Sequence, residues 1–177
     1  MSVVARSPLP VARLPMLSLA AGVAVAEALS DVAGLSARLK WPNDVLTSGR
    51  KIAGVLLERI TDVVVIGIGV NVAQPSFGAE LSKLATSIAI EGGRADREAL
   101  LRGVLGALSR WRGALESGDF RLVLERWTAL SATLGQRVSV DGVVGFAAGL
   151  DDDGALVLET VDGKRRIIAG EPEPVAG

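Results

Sequence analysis

Lys40-Trp41-Pro42-Asn43-Asp44, followed by Arg50-Lys51-Ile52-Ala53-Gly54, decides how the rest of this chain is read. Pro42 fixes its own φ, offers no N–H and pushes Trp41 towards an extended shape. Asn43 and Asp44 then bring polar groups to a place where the chain turns. Lys51 opens a strongly apolar run, Ile52-Ala53-Gly54-Val55-Leu56-Leu57. The segment reads as a short strand over 38–41, a turn over 43–50 with Gly49 at its tip, and a strand from residue 51. Such an arrangement presents charge at a strand end rather than along a solvated face.

Working outward, residues 51–60 and 62–70 are two β-rich runs around the reversal Arg59-Ile60-Thr61-Asp62, which predicts an antiparallel hairpin. Residues 2–6 read as a short strand. Residues 16–29 form a helix that is apolar nearly all round, as a buried helix is. Its Gly22 and five alanines let a neighbour approach closely. Residues 74–94 carry Pro75, Gly78 and Gly92-Gly93 and read as irregular. Asp96 is placed to N-cap a helix running to Glu116, with Leu101, Val104, Leu105, Leu108, Trp111 and Leu115 along one face. A further helix covers 120–132, with Leu122, Leu124, Trp127 and Leu130 apolar. Beyond Leu134-Gly135 come short alternating runs separated by Asp141-Gly142, Asp151-Asp152-Asp153-Gly154 and Asp162-Gly163. Those turns predict a small β-barrel or sandwich that packs on the main body. The expected class is α+β: a mixed or antiparallel sheet with packed helices over 1–132, and a small β-domain over 133–177.

Composition removes whole classes of chemistry. The 177 residues contain no cysteine and no histidine. Disulfides, thiolate or imidazole metal sites, cysteine nucleophiles and Ser-His-Asp triads are therefore excluded within the chain. Catalysis must rest on Lys, Arg, Asp, Glu, Asn, hydroxyls, backbone amides or a bound metal. A net charge of −1 gives no support for a nucleic-acid or anionic-membrane partner. Arg6 and Arg13 ahead of an apolar run have the format of a secretory signal. Pro8, Pro10, Pro15 and Glu27 interrupt it, so the chain is read as cytoplasmic.

Lys51 carries three donors on a compact charge, suited to carboxylate or phosphate oxygens. The bland reading is a surface lysine at a strand start. Asp44 reads either as a turn former or as a partner for that ammonium or for Mg²⁺, which takes hard oxygen ligands. Asn43 divides the same way between an Asx turn and a site role. Trp41 reads as packing, and Lys40 as a second cation. Gly67-Ile68-Gly69-Val70-Asn71 lacks the third glycine and following helix of a dinucleotide loop, and by itself reads as a closely packed strand. The aspartates at 151–153 read as turn formers rather than calcium ligands, and Lys164-Arg165-Arg166 as a solvated strand end.

Taken together and in this order, these motifs resemble the signature of biotin protein ligases. The resemblance implies a class II synthetase-like catalytic core followed by an SH3-like β-domain. It implies that Lys51 lies where the biotin carboxylate meets the nucleotide α-phosphate, with Asp44 as its catalytic companion and potential Mg²⁺ ligand. Gly54, Gly67 and Gly69 would border biotin; Asn71, with Asn43 and Lys40, would contact the nucleotide. Thr86-Ser87 resembles a hydroxyl pair of the family's next loop, with no role assigned. ATP, biotin and Mg²⁺ follow as ligands, and a biotin carboxyl carrier protein as partner, with a homodimer left open. The family carries a glycine- and arginine-rich biotin loop and a Ser-Thr segment ahead of this first strand. Neither is in the chain, so the expectation is a catalytic domain entered late and weakly active by itself. No DNA-binding domain precedes it either, which leaves a repressor role unsupported. Two other readings share these features: a non-catalytic module that binds carrier or dimerises through a sheet edge, and a lipoate-type acyl ligase or transferase.

Overall fold

The computed structural model describes residues 1–94 and 96–175; residues 176–177 of the expected C-terminal domain lie outside the described residues. Alternating inward and outward side chains build the first sheet from β1 (Ser2–Arg6), β2 (Arg38–Lys40), β3 (Asp44–Thr47), β4 (Arg50–Ile60) and β5 (Val63–Val70). Their order is β1-β5-β4-β3-β2, and every pairing is antiparallel. One face buries Ala5, Leu39, Val45, Val55, Val64 and Ile66. Val4, Leu56 and Ile60 are exposed on the other. Truncating a side chain as enclosed as Ile66 costs about 2–5 kcal/mol.

The stretch over 43–50 is not one turn but a strand and a turn. Val45 and Thr47 point inward and are buried, which makes Asp44–Thr47 a strand. The reversal is confined to Ser48 (φ 51°) and Gly49 (φ 75°), between the paired Thr47 and Arg50. Positive φ at both central residues matches the right-handed twist of a two-residue hairpin.

Helix α1 (Pro15–Ala28) opens on a proline at its first position, where no N–H is needed. It is buried along nearly its whole surface, between the first sheet and two further helices. A wider helical turn, Leu29–Ala33, and Gly34 at φ 72° end it. The helical run Val11–Ala33 is long and apolar enough to span a membrane by length and composition, but most of it is core here.

Helix α2 (Arg97–Glu116) is N-capped by Asp96, whose carboxylate accepts from the Ala99 N–H at 3.0 Å. Its buried residues are Leu100, Val104, Ala107, Leu108 and Leu115. Leu101 and Leu105, expected inward, are exposed. The small residues decide this: Gly103 meets Ala28 and Val32 of the α1 segment so closely that a Cβ would sit 3.1 Å from Val32. In α3 (Phe120–Leu130), Val123 and Trp127 are buried, whereas Leu122 is exposed. Glu27 of α1 joins the three helices, accepting from Arg126 at 2.9 Å, the Trp111 indole at 2.9 Å and Arg110 at 3.1 Å.

The second sheet contains β6 (Arg137–Val140), β7 (Val143–Leu150), β8 (Leu156–Thr160), β9 (Gly163–Ile167) and β10 (Glu173–Pro174), in the order β10-β6-β7-β8-β9. Among the described residues all its pairings are antiparallel, with β10 and β9 at the two ends of the order. Although two prolines flank Glu173, the chain returns after Glu171 to pair with β6. Arg166 bonds both Asp151 and Asp153 across the acidic turn and so offsets part of its charge.

Trp41 holds the two sheets together. Its backbone N–H donates to Thr133 Oγ1 at 2.9 Å, and its buried indole N–H donates to the Gly154 carbonyl at 3.0 Å. The Trp41–Pro42 peptide is cis. On the adjacent strand edge Leu39 accepts from the Ala132 N–H, and Arg38 donates to the Leu130 and Ser131 carbonyls.

Candidate functional site

One row of paired residues crosses four strands of the first sheet. Lys40 of β2 stands opposite Asp44 of β3, Asp44 opposite Gly54 of β4, and Gly54 opposite Gly69 of β5. Gly67 follows two residues along the same face. Directly opposed residues share a face with Cβ atoms about 5 Å apart. Two glycines next to a carboxylate therefore make a trough in the outer face of the sheet.

Lys51 enters this row because the strand is irregular. A strict two-residue alternation would point Lys51 inward with Ala53 and Val55. The register instead shifts between Val45 and Leu46: Val45 pairs with Ala53, but Leu46 pairs with Lys51. Ile52 is the extra residue, and Ile52 and Ala53 both face the core. This bulge turns Lys51 outward onto the face of Gly54. There its Nζ lies 2.5 Å from Asp44 Oδ1. A Cβ added at Gly54 would sit 3.2 Å from Lys51 Cε and 3.5 Å from Asp44 Oδ1. Glycine thus leaves the space that the ion pair fills. Asp44 is nearly enclosed, with 13% of its side chain exposed, whereas Lys51 exposes 49%.

The Lys51–Asp44 pair forms a ridge between two clefts. One, about 430 Å³, is bordered by Asn43, Asp44, Lys51, Gly54, Gly67 and Gly69. The other, about 470 Å³, lies towards the second sheet and is bordered by Lys40, Asp44, Lys51, Thr133, Gln136 and Glu171. In that second cleft Lys40 Nζ bonds Glu171 Oε1 at 2.6 Å. The Lys40 hydrogen bond and charge, with a smaller contribution from Lys51, hold the Glu171 carboxyl below the ordinary glutamate range.

Asn43 clamps β4: its amide donates to the Val55 carbonyl at 2.7 Å, and its own carbonyl accepts from the Val55 N–H at 2.9 Å. Asn71 borders neither cleft. Its amide donates to the Thr86 carbonyl at 3.0 Å and ties the end of β5 to the segment 84–88. Thr86 and Ser87 are fully buried; their hydroxyls donate to Glu91 and to the Gln74 carbonyl. The structure thus brings Lys40, Asp44, Lys51 and Gly54 together, with Gly67, Gly69 and Asn43 beside them and Asn71 behind. Sequence reading matched Ala169-Gly170-Glu171 to the family's C-terminal domain but gave Glu171, 131 residues from Lys40, no role in the site.

Comparisons with known proteins follow the same outline. The Biotin/lipoate A/B protein ligase family matches residues 1–72, and the Biotin protein ligase C terminal domain matches residues 133–171. The bifunctional ligase/repressor BirA of Bacillus spizizenii is 34% identical over 186 residues, covering 98% of this chain but 57% of that protein. The biotin–[acetyl-CoA-carboxylase] ligase of Paracoccus denitrificans is 37% identical over 170 residues, covering 88% of this chain and 71% of that protein. The biotin protein ligase of Aquifex aeolicus in complex with biotin and ATP superposes with a TM-score of 0.85 at 30% identity, over 97% of this chain and 75% of that one. The chain thus spans little more than half the length of the Bacillus relative. With both domain matches in chain order and relatives of this identity and extent, the chain belongs to the biotin protein ligase family.

Proposed function

We propose that this chain carries the ligation centre of a biotin–protein ligase. In the first step a biotin carboxylate oxygen bonds to the α-phosphorus of ATP and pyrophosphate leaves, giving biotinyl-5′-adenylate. In the second, a lysine amine of a biotin carboxyl carrier protein attacks the acyl carbon and AMP leaves. The observation that carries this reading is the Lys51–Asp44 ridge shared by two clefts, one floored by glycines and one edged by Lys40. Two anions repel each other, and an ammonium held between them offsets that repulsion and the charge that builds as the new bond forms. Asp44 keeps the ammonium in place. The glycine trough admits a flat ring close to the backbone, which fits the biotin moiety. The cleft beside Lys40 fits the nucleotide. The Paracoccus relative is named for the acetyl-CoA-carboxylase carrier, and the Aquifex enzyme has been seen with biotin and ATP, which supports the same ligands here.

Among the described residues no three His, Cys, Asp or Glu side chains cluster as a resident metal site. Asp44 is the carboxylate common to both clefts, and it fits a Mg²⁺ ion arriving with ATP phosphates, which commonly uses one or two carboxylates. Bound there, Mg²⁺ would neutralise phosphate charge.

Biotin-dependent exchange of pyrophosphate into ATP tests the proposal. Exchange that requires biotin and is lost in Lys51→Ala is expected. The family match also covers lipoate ligases, so lipoate is run in parallel. Equal exchange with lipoate, or neither binding nor exchange with biotin, overturns the assignment.

A further inference from the structure

Behind Lys51, away from both clefts, lies a largely enclosed carboxylate that the ligation chemistry does not use. Only 10% of the Glu91 side chain is exposed. It accepts from Thr86 Oγ1 at 2.6 Å, from Arg50 at 2.7 Å and from Ser48 Oγ at 2.8 Å. Two of these donors belong to the turn and strand start immediately before Lys51. The third belongs to the segment that brackets Lys51 from the other side. There the Lys51 N–H donates to the Leu84 carbonyl at 2.8 Å, and the Lys51 carbonyl accepts from the Thr86 N–H at 2.9 Å. Lys51 thus keeps its place opposite Leu46 and adds a parallel bridge to Ala85 on its other side.

We propose that Glu91 is a positioning residue: it staples residues 48–50 to Thr86, and so fixes the backbone fork from which the Lys51 ammonium reaches Asp44. The inference rests on the ligase reading for its functional consequence, but its geometric content stands apart from it. The argument is mechanical. A lysine has a long, flexible stem, and its ammonium is held only as well as its backbone is. The β4–β5 pairing begins only at Ala53, so the Lys51 N–H and carbonyl bond the 84–86 segment instead of β5. Glu91 joins that bracket to the turn before Lys51. Three donors on one enclosed carboxylate make a stiff joint, since charge-assisted hydrogen bonds are the stronger ones. Consistent with this, the Thr86 hydrogen bond first, with Ser48 and Arg50, holds the Glu91 carboxyl below the ordinary range against the opposing effect of burial.

The test uses the whole chain, with Glu91→Gln as the mild variant and Glu91→Ala as the severe one. The lysines are 40, 51, 83 and 164, few enough to assign each side-chain ¹⁵Nζ and ¹³Cε signal by substitution. The Lys51 signal is expected to move in both variants towards its position in Asp44→Asn, while Lys83 and Lys164 stay unmoved. In the pyrophosphate exchange assay, Glu91→Ala is expected to lower the rate about 10- to 100-fold, the scale of a misplacement near 1 Å. Biotin affinity should fall as well, since the displaced ammonium is the group set to meet the biotin carboxylate, and Glu91→Ala should add nothing in a Lys51→Ala background. A Lys51 signal that does not move in Glu91→Gln, in a protein whose other signals remain folded, overturns the proposal. Additive losses with Lys51→Ala overturn it too. If the wild-type chain exchanges no pyrophosphate, the ligase reading suffers and the resonance measurement still decides the role of Glu91.

Discussion

The ammonium of Lys51 and the carboxylate of Asp44 meet at 2.5 Å directly over Gly54, on adjacent strands whose register is broken by a bulge. One partner is half exposed and the other nearly enclosed. An ion pair so open to water contributes at most about 1 kcal/mol to folding. Such a pair is a poor fastener, yet the sheet departs from its regular pattern to form it.

Lys51→Ala and Asp44→Asn should therefore be nearly silent in stability and severe in activity. The expected change in unfolding free energy is within about 1 kcal/mol for Lys51→Ala, as for a solvated pair. Pyrophosphate exchange should fall by at least about 100-fold, the scale of one lost electrostatic contact to a developing charge. Urea titration and the exchange assay on the same samples check both. A large stability loss with retained activity would make the pair structural.

Gly54→Ala probes the space above the pair. The glycine has no left-handed backbone requirement, and the added methyl meets the movable end of Lys51 rather than backbone. The fold should accept it at a cost of about 1 kcal/mol or less. The ammonium has to move aside, so biotin affinity should drop by tenfold or more, about 1.4 kcal/mol of binding. Calorimetric titration with biotin measures this, and unchanged affinity would remove Gly54 from the site.

The hairpin of β4 and β5 was legible because alternation and a tight reversal mark it directly. Strand β3 was not, because turn formers on both sides, Asn43 and Ser48-Gly49, leave four residues too few to show a period. The bulge at Ile52 leaves no compositional trace either, since one extra apolar residue looks like a run of core. In the α2 stripe Val104, Leu108 and Leu115 are buried as expected, but Leu101 and Leu105 are not, because leucines cover much of that helix and close packing at Gly103 against α1 turns Leu100 inward instead. Lys51, Asp44 and the glycines could be singled out because the chemistry lies within a short motif. Glu91 and Glu171 act on residues 41 and 131 positions away, a distance that periodicity does not reach.

Trp41→Phe should weaken the junction of the two sheets. Phenylalanine keeps most of the buried area but loses the indole N–H, stranding the buried Gly154 carbonyl. An unsatisfied buried acceptor costs about 1–3 kcal/mol. Thr133→Val removes the acceptor for the Trp41 N–H and should cost a similar amount. Urea unfolding followed by circular dichroism reports the loss. Wild-type stability in both variants would show that the two hydrogen bonds do not hold the junction.

Acid should loosen the molecule through three carboxylates. Glu91 is held low chiefly by Thr86. Burial pushes Asp153 up, but Arg166 and the Ala155 N–H more than offset it. Glu171 is held low by Lys40. Each folded-state value lies below that of the unfolded chain, where glutamate titrates near 4.5 and aspartate near 3.8. The unfolded state then binds more protons as pH falls, so the stabilisation is complete above these values and lost below them. The urea midpoint should be flat from about pH 8 to pH 6 and decline below about pH 4.5. Glu171 is largely exposed, so its share should fade in salt, whereas that of the enclosed Glu91 should persist. Glu91→Gln cannot release that proton-linked stabilisation, and its midpoint should fall less steeply with acid than the wild type in high salt. Parallel curves for the two proteins would mean that Glu91 takes no part in the acid response.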